Sequence, residues 1–236
     1  MASPINQNAR ELVLTGLLLA VVGLLLLPLD NWITDFVLDH PPHGEFKALL
    51  RRAEAFGHGM GVALILITFF IVCRPGVRRG LWVAGSAYGA GIAADILKIL
   101  FVRTRPSEIA ADGPNAVFGL VDLTANSFAN LSAHLQASAE QSFPSAHTAT
   151  AFGLAVALGT LFPRGRIWFL CLAGLVGLQR ITTAAHFPSD VCWGAAIGLV
   201  WGVYAMKQLA RRQTQPQFHF GLVSHSLDGA ERATAA

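Results

Sequence analysis

Between residues 98 and 190, six ionisable side chains stand in or beside apolar runs: Lys98, Arg105, His147, Arg180, His186 and Asp190. His186 and Asp190 are four apart across a turn that carries Pro188. At that spacing the carboxylate can hold one imidazole nitrogen and leave the other free to attack. In FPSAHTATAFG, Ser145 has the side chain of a helix N-cap, and Ala146, His147 and Thr148 then form the first turn. The free backbone N–H groups there, together with the helix dipole, make an anion site with His147 at its mouth. Lys98 and Arg105 are seven apart. That is about two helical turns, which puts them on one face about 10 Å apart along the axis. Pro106 disfavours helix at Arg105. Three cations, a helix N-terminus, a serine hydroxyl and two histidines suit a phosphoryl group. Its transfer spreads negative charge over three oxygens, and fixed positive donors lower the barrier. One histidine can be the nucleophile, and the other can protonate the leaving oxygen.

The elements that must position these groups are membrane helices. Of the 236 residues, 53% are hydrophobic and 13% are Asp, Glu, Lys or Arg, against about 25% charged residues in soluble domains. The apolar residues come in blocks near the ~20 residues that cross a bilayer. The expected fold is all-α, a polytopic bundle of six transmembrane helices over 12–29, 55–73, 81–102, 146–163, 167–186 and 190–208. The first block lacks a small-residue cleavage site after it and reads as a retained helix. One membrane domain is expected over 1–212, with a mobile polar tail over 213–236. The net charge of +3, with no basic stripe, gives no footprint for nucleic acid.

Arg10, Arg74, Arg78, Arg79, Arg164, Arg166, Lys207, Arg211 and Arg212 fall on one side of six spans, which the positive-inside rule makes cytoplasmic. The six ionisable groups then gather at the opposite leaflet. There they meet water and one another and avoid the ~2.5–3.5 kcal/mol that each charge costs at mid-membrane. The outward loops are 30–54 and 103–145; the second is long enough to expect a job, such as a lid.

Three segments resemble the signature motifs of the type 2 phosphatidic acid phosphatase superfamily, whose helical core is shared with vanadium haloperoxidases. They are Lys98-x6-Arg105-Pro106, Pro144-Ser145-Ala146-His147 and Arg180-x5-His186-x3-Asp190. The resemblance implies a metal-independent membrane phosphatase with no cofactor. His186 would form a phosphohistidine, Asp190 would orient it, and His147 would be the general acid. Lys98, Arg105, Ser145, Ala146 and Arg180 would bind phosphate oxygens. The implied partner is a phosphorylated lipid, either a monoester or a diphosphate, such as undecaprenyl diphosphate, phosphatidylglycerol phosphate, phosphatidate or a lipid A phosphate. The implied location is a bacterial inner membrane, with the site on the periplasmic or extracellular side. Two positions depart from the motifs: Ala146 stands where glycine is usual, and Gln179 where a serine precedes the third-motif arginine. The first keeps the backbone N–H; the second removes a supporting hydroxyl.

Two other classes fit parts of the pattern. A transporter with a polar relay would need polar groups at mid-depth, which the first, fifth and sixth spans lack. A vanadate-dependent haloperoxidase would use the same pocket, but six spans argue against it. Outside the motifs, Asp95 is spaced to pair with Lys98, and Glu54 and His58 read as a solvated helix end. Cys73, Cys171 and Cys192 have no CxxC spacing and read as buried thiols. The number of subunits is not legible.

Overall fold

The computed structural model describes residues 4–109, 119–120 and 141–214. Its α-helices are α1 (Pro4–Leu26), α2 (Asp30–Asp39), α3 (Gly44–Ala53), α4 (Gly59–Cys73), α5 (Val77–Lys98), α6 (Ala146–Leu161), α7 (Arg166–Thr182) and α8 (Pro188–Thr214). Short 3₁₀ turns join several of them, and a two-residue ladder pairs β1 (Phe101–Val102) with β2 (Gly119–Leu120). The chain is a helical membrane protein. Three helices are long and apolar enough to cross a bilayer, Ala9–Asp39, Val77–Lys98 and Pro188–Arg212, and a bent pair ending in α4 makes a fourth.

Helix α6 is the centre. It packs against α5, α7 and α8, while α1 lies on α8. Eleven of its residues, from Thr148 to Gly159, are buried. A helix that is apolar all round belongs in such a core. Small residues allow the close approach: a β-carbon at Gly153 would lie 2.3 Å from the Ser86 carbonyl oxygen of α5, and one at Gly194 would lie 2.4 Å from the Ser145 carbonyl oxygen. Ser86 Oγ donates to the Gly153 carbonyl at 2.7 Å, a hydrogen bond between helices whose backbones nearly touch. The first contact holds the middle of α6 against α5, and the second holds its N-terminus against α8.

The structure differs from the sequence reading in three places. The segment 30–54 is helical, where an outward loop was expected. Its first part continues α1 across a 3₁₀ turn as one 31-residue run, Ala9–Asp39. Its second part is α3, which is amphipathic and meets α4 at a 69° bend. Residues 99–102 were expected within the third span, yet α5 stops at Lys98, and Phe101 and Val102 pair with another segment in extended form. Cys73 and Cys171 are exposed and Cys192 is half-buried, where buried thiols were expected; Cys192 alone packs close to α1, near Gly23. The tail from 215 onward, and 110–118 and 121–140 of the long loop, lie outside the described residues, and the expectations of a mobile tail and a lid fall there.

The close approach sets a test. Gly153→Ala forces a β-carbon onto a backbone carbonyl, and overpacking of this kind costs about 1–3 kcal/mol. Gly174, on α7, has open space where its β-carbon would be, so Gly174→Ala should hold or raise stability. Thermal unfolding of the detergent-solubilised variants should show a clear drop for the first and none for the second.

Candidate active site

Five of the predicted groups meet at one cavity of about 360 Å³, at one end of the bundle. Lys98, Arg105, His147, Arg180 and His186 line it together with Asp95, Ala146 and Ala185. The end of α5 supplies Lys98. The extended chain before Pro106 supplies Arg105, whose backbone has φ −70° and ψ 149°. The two cations therefore share the cavity without sharing a helix face, because the helix ends seven residues short of Arg105.

The first turn of α6 brings Ala146 and His147. Ser145 caps this helix: its Oγ accepts from the Thr148 N–H at 3.4 Å and lies 2.9 Å from Thr148 Oγ1. Its side chain is fully buried and does not line the cavity. The structure thus assigns Ser145 to building the helix N-terminus, and the wall at that corner is Ala146.

Arg180 lies in the last turn of α7. Its carbonyl accepts the N–H groups of Ala185 and His186 at 3.1 and 3.2 Å, which folds the following turn back on the helix. Ala184 takes a left-handed conformation there, with φ 53°. This reversal swings His186 into the cavity wall. His186 Nδ1 lies 2.6 Å from the Ser142 carbonyl oxygen. A carbonyl can only accept, so Nδ1 carries the proton and Nε2 keeps its lone pair. Burial pushes the His186 imidazole below its ordinary pKa. Attraction from Asp190 and the hydrogen bond to the Ser142 carbonyl act in the opposite sense, while Lys98 adds to the lowering. The neutral form is thereby favoured at neutral pH.

Asp190 stands behind His186. Its Oδ2 is 3.9 Å from Nδ1, too far for a hydrogen bond. It instead accepts from the Phe187 N–H at 2.8 Å and from Ser142 Oγ. Because Ser142 presents its carbonyl to His186 and its hydroxyl to Asp190, the aspartate orients the imidazole through one intervening residue. The direct bond expected from the four-residue spacing is replaced by this relay.

Three further residues take part that the sequence reading did not find. Arg103, 3% exposed, donates to Asp190 and to Asp30 Oδ2, the latter at 2.6 Å. It also reaches Ser189 Oγ at 2.7 Å and lies 4.1 Å above the Phe187 ring. Asp30 accepts from the Ser189 N–H at 3.0 Å and from its hydroxyl. In sequence, Asp30 and Arg103 are ordinary charges just past apolar runs. The usable hint was that an acid and a base both follow such runs at the same end of the bundle.

Glu54 corrects another reading. It is bound to the site, where a solvated helix end was expected: Oε1 accepts from Arg180 at 2.6 Å and Oε2 from Gln179 Nε2 at 3.2 Å. Gln179 Oε1 in turn accepts from Arg180 Nε at 2.5 Å. The glutamine that departs from the motif therefore does orient the arginine, through an amide where the motif has a hydroxyl. His58 joins as well, with its ring centroid 5.6 Å from that of His147. Gly57 makes this possible, since a β-carbon there would lie 2.5 Å from the His147 carbonyl oxygen. Asp95 Oδ1 pairs with Lys98 Nζ at 3.2 Å, as its spacing predicts. Among the described residues, no group of three or more His, Cys, Asp or Glu side chains is placed to hold a metal ion.

Known proteins share both the fold and part of the sequence. A crystal structure of Aquifex aeolicus LpxE superposes with a TM-score of 0.52 at 22% identity, covering 76% of this chain and 95% of that one. The PAP2 type phosphatidylglycerolphosphate phosphatase of Bacillus subtilis superposes at 0.54 and 16% identity, covering 89% and 98%. At these identities the likeness is one of fold. A lipid A 1-phosphatase of Rhizobium johnstonii is 37% identical over 109 residues, which is 46% of this chain and 39% of that protein. The chain thus matches less than half the length of that relative. A decaprenylphosphoryl-5-phosphoribose phosphatase of Mycobacterium tuberculosis is 28% identical over 156 residues, 66% of this chain and 76% of that protein. The model of the PAP2 superfamily matches residues 79–214, more than half the chain and the whole stretch from α5 to α8 that builds the cavity, and the chain belongs to that superfamily.

Proposed function

We propose that this protein is an integral-membrane phosphatase that hydrolyses a phosphate ester or diphosphate of a lipid through a phosphohistidine intermediate. The observation that carries this reading is the convergence of His186, His147, Lys98, Arg105 and Arg180 on one cavity. Three cations and a helix N-terminus can hold the phosphoryl oxygens, while the lone pair on His186 Nε2 faces phosphorus. Attack forms the Nε2–P bond and breaks the bond from phosphorus to the lipid oxygen. His147, protonated beside the phosphate dianion, gives its proton to that oxygen. Water then attacks phosphorus, returns a proton to His147 and releases inorganic phosphate, leaving both histidines as they began. Asp190, acting through Ser142, steadies the imidazolium character that develops on His186. The names of the relatives support a lipid phosphate as substrate.

The proposed topology keeps six spans, one each in α1, α4, α5, α6, α7 and α8. Helices α4, α6 and α7 have 15, 16 and 17 residues, so they cross only the hydrocarbon centre or tilt little. Arginine-rich turns before α5 and α7 favour the cytoplasmic side for the end away from the cavity. The site then opens on the periplasmic or extracellular side of a plasma membrane.

Three outcomes follow. Purified His186→Ala should fold normally and lose about a thousandfold or more in turnover, measured as phosphate released from a panel of lipid phosphates; near-full activity would remove His186 from its role. In the same assay EDTA should leave the wild-type rate largely intact, because the cations Lys98, Arg105 and Arg180 do the work of a metal; full loss restored by added Mg²⁺ would show the mechanism to be misassigned. For sidedness, the three native cysteines are first replaced. Glu108→Cys, exposed beside the site, should then react with an impermeant thiol reagent in intact cells, and Arg164→Cys, exposed at the other end, only after lysis. The reverse pattern would turn the site toward the cytoplasm.

A further inference from the structure

The cavity is less positive than its three cations suggest. Lys98 is paired with Asp95 and Arg180 with Glu54. Two of the three cations that line it thus already carry a carboxylate counter-charge. A phosphate monoester brings about −1.5 to −2 at neutral pH. A diphosphate brings more, into a cavity that the Asp95 carboxylate also lines.

Asp95 is the more telling of the two. It lies one turn before Lys98 on α5 and lines the cavity itself, with a side chain 61% exposed. An ionised carboxylate can only accept hydrogen bonds. A phosphate oxygen beside it is repelled, whereas a hydroxyl beside it is bound. The cavity, at about 360 Å³, is also larger than a phosphoryl group requires, which leaves room for the first carbons of the head group.

We infer that Asp95 makes this site selective for a phosphate monoester borne on a hydroxyl-rich head group, a sugar or other polyol, over a diphosphate. The inference rests on the phosphatase reading above and narrows it. Asp95 accepts a hydroxyl close to the ester oxygen, while Lys98, held by the same carboxylate, meets the phosphate. A simpler role, in which Asp95 only steadies Lys98, would affect every substrate alike.

The test uses the purified full chain in detergent micelles and three substrates: phosphatidylglycerol phosphate, the analogue lacking the glycerol hydroxyl, and undecaprenyl diphosphate. Wild type should show a kcat/KM about tenfold higher on the first than on the second, in line with a hydrogen bond to a charged, partly exposed acceptor. It should also favour the first over the third. In Asp95→Ala both ratios should fall toward one. Asp95→Asn keeps an acceptor but loses the charge, so it should relax the discrimination against the diphosphate more than the preference for the hydroxyl. Competition by inorganic phosphate and by pyrophosphate gives a second reading: the variants should gain sensitivity to pyrophosphate relative to phosphate. Equal losses on all three substrates, with an unchanged inhibitor ratio, would reduce Asp95 to a support for Lys98 and overturn the inference. An active wild type with no preference would overturn it too while leaving the phosphatase reading in place. Wild type that releases phosphate from none of them would defeat that reading, and the selectivity with it.

Discussion

The site depends on one buried arginine shared by two carboxylates. Arg103 holds Asp190 behind His186 and Asp30 at the start of α2. A buried charge without a partner is costly, and breaking such a pair by removing one member typically costs 3–5 kcal/mol. Two carboxylates around one guanidinium also leave a negative charge, which the Ser142 and Ser189 hydroxyls and the Phe187 and Ser189 N–H groups help to bear. The result is geometric more than energetic: the fork of the guanidinium fixes where α2, the turn before α8 and the strand end after α5 can lie. His186 takes its position from that arrangement.

A second constraint is steric. The N-terminal end of α6 can reach the cavity only if its neighbours come close: Gly194 and Gly57 stand at the contacts of that end, and Gly153 at mid-helix. Packing of this kind replaces the hydrophobic effect, which has little to offer between helices already surrounded by lipid. It places His147 between α5 and α7, within reach of the lysine of the one and the arginine of the other. The hydroxyl of Ser145 is taken up in capping that helix, and this lets the backbone serve as donor.

Carboxylates surround the cavity in a graded way. Asp190 is fully buried and reaches His186 through Ser142. Glu54 comes from the turn after α3 and holds both Arg180 and Gln179, so the amphipathic α3 is tied to the chemistry. Asp95 stands in the cavity itself. Cations alone would bind any polyanion; with acids among them, the shape and charge of the anion matter.

The sequence by itself determined the class of fold, because blocks of apolar residues near bilayer length admit little but a helical bundle. It also determined the chemical set, since Lys98, Arg105, His147, Arg180 and His186 keep spacings that fall at helix ends on the same side. The end of α5 was not legible: Lys98 and Arg105 are spaced like neighbours on a helix, and only pairing of Phe101–Val102 with a distant segment breaks it. Nor was the true partner of Asp190, because local spacing suggests His186, while Ser142, 48 residues away, takes the hydrogen bond. Arg103, Asp30 and Glu54 stand in no motif along the chain, and only the placing of Asp30 and Arg103 just past apolar runs hints at a shared end. Their roles arise where segments 73 to 126 residues apart meet, and a charge becomes part of a site only when tertiary packing removes its water and supplies its counter-charge.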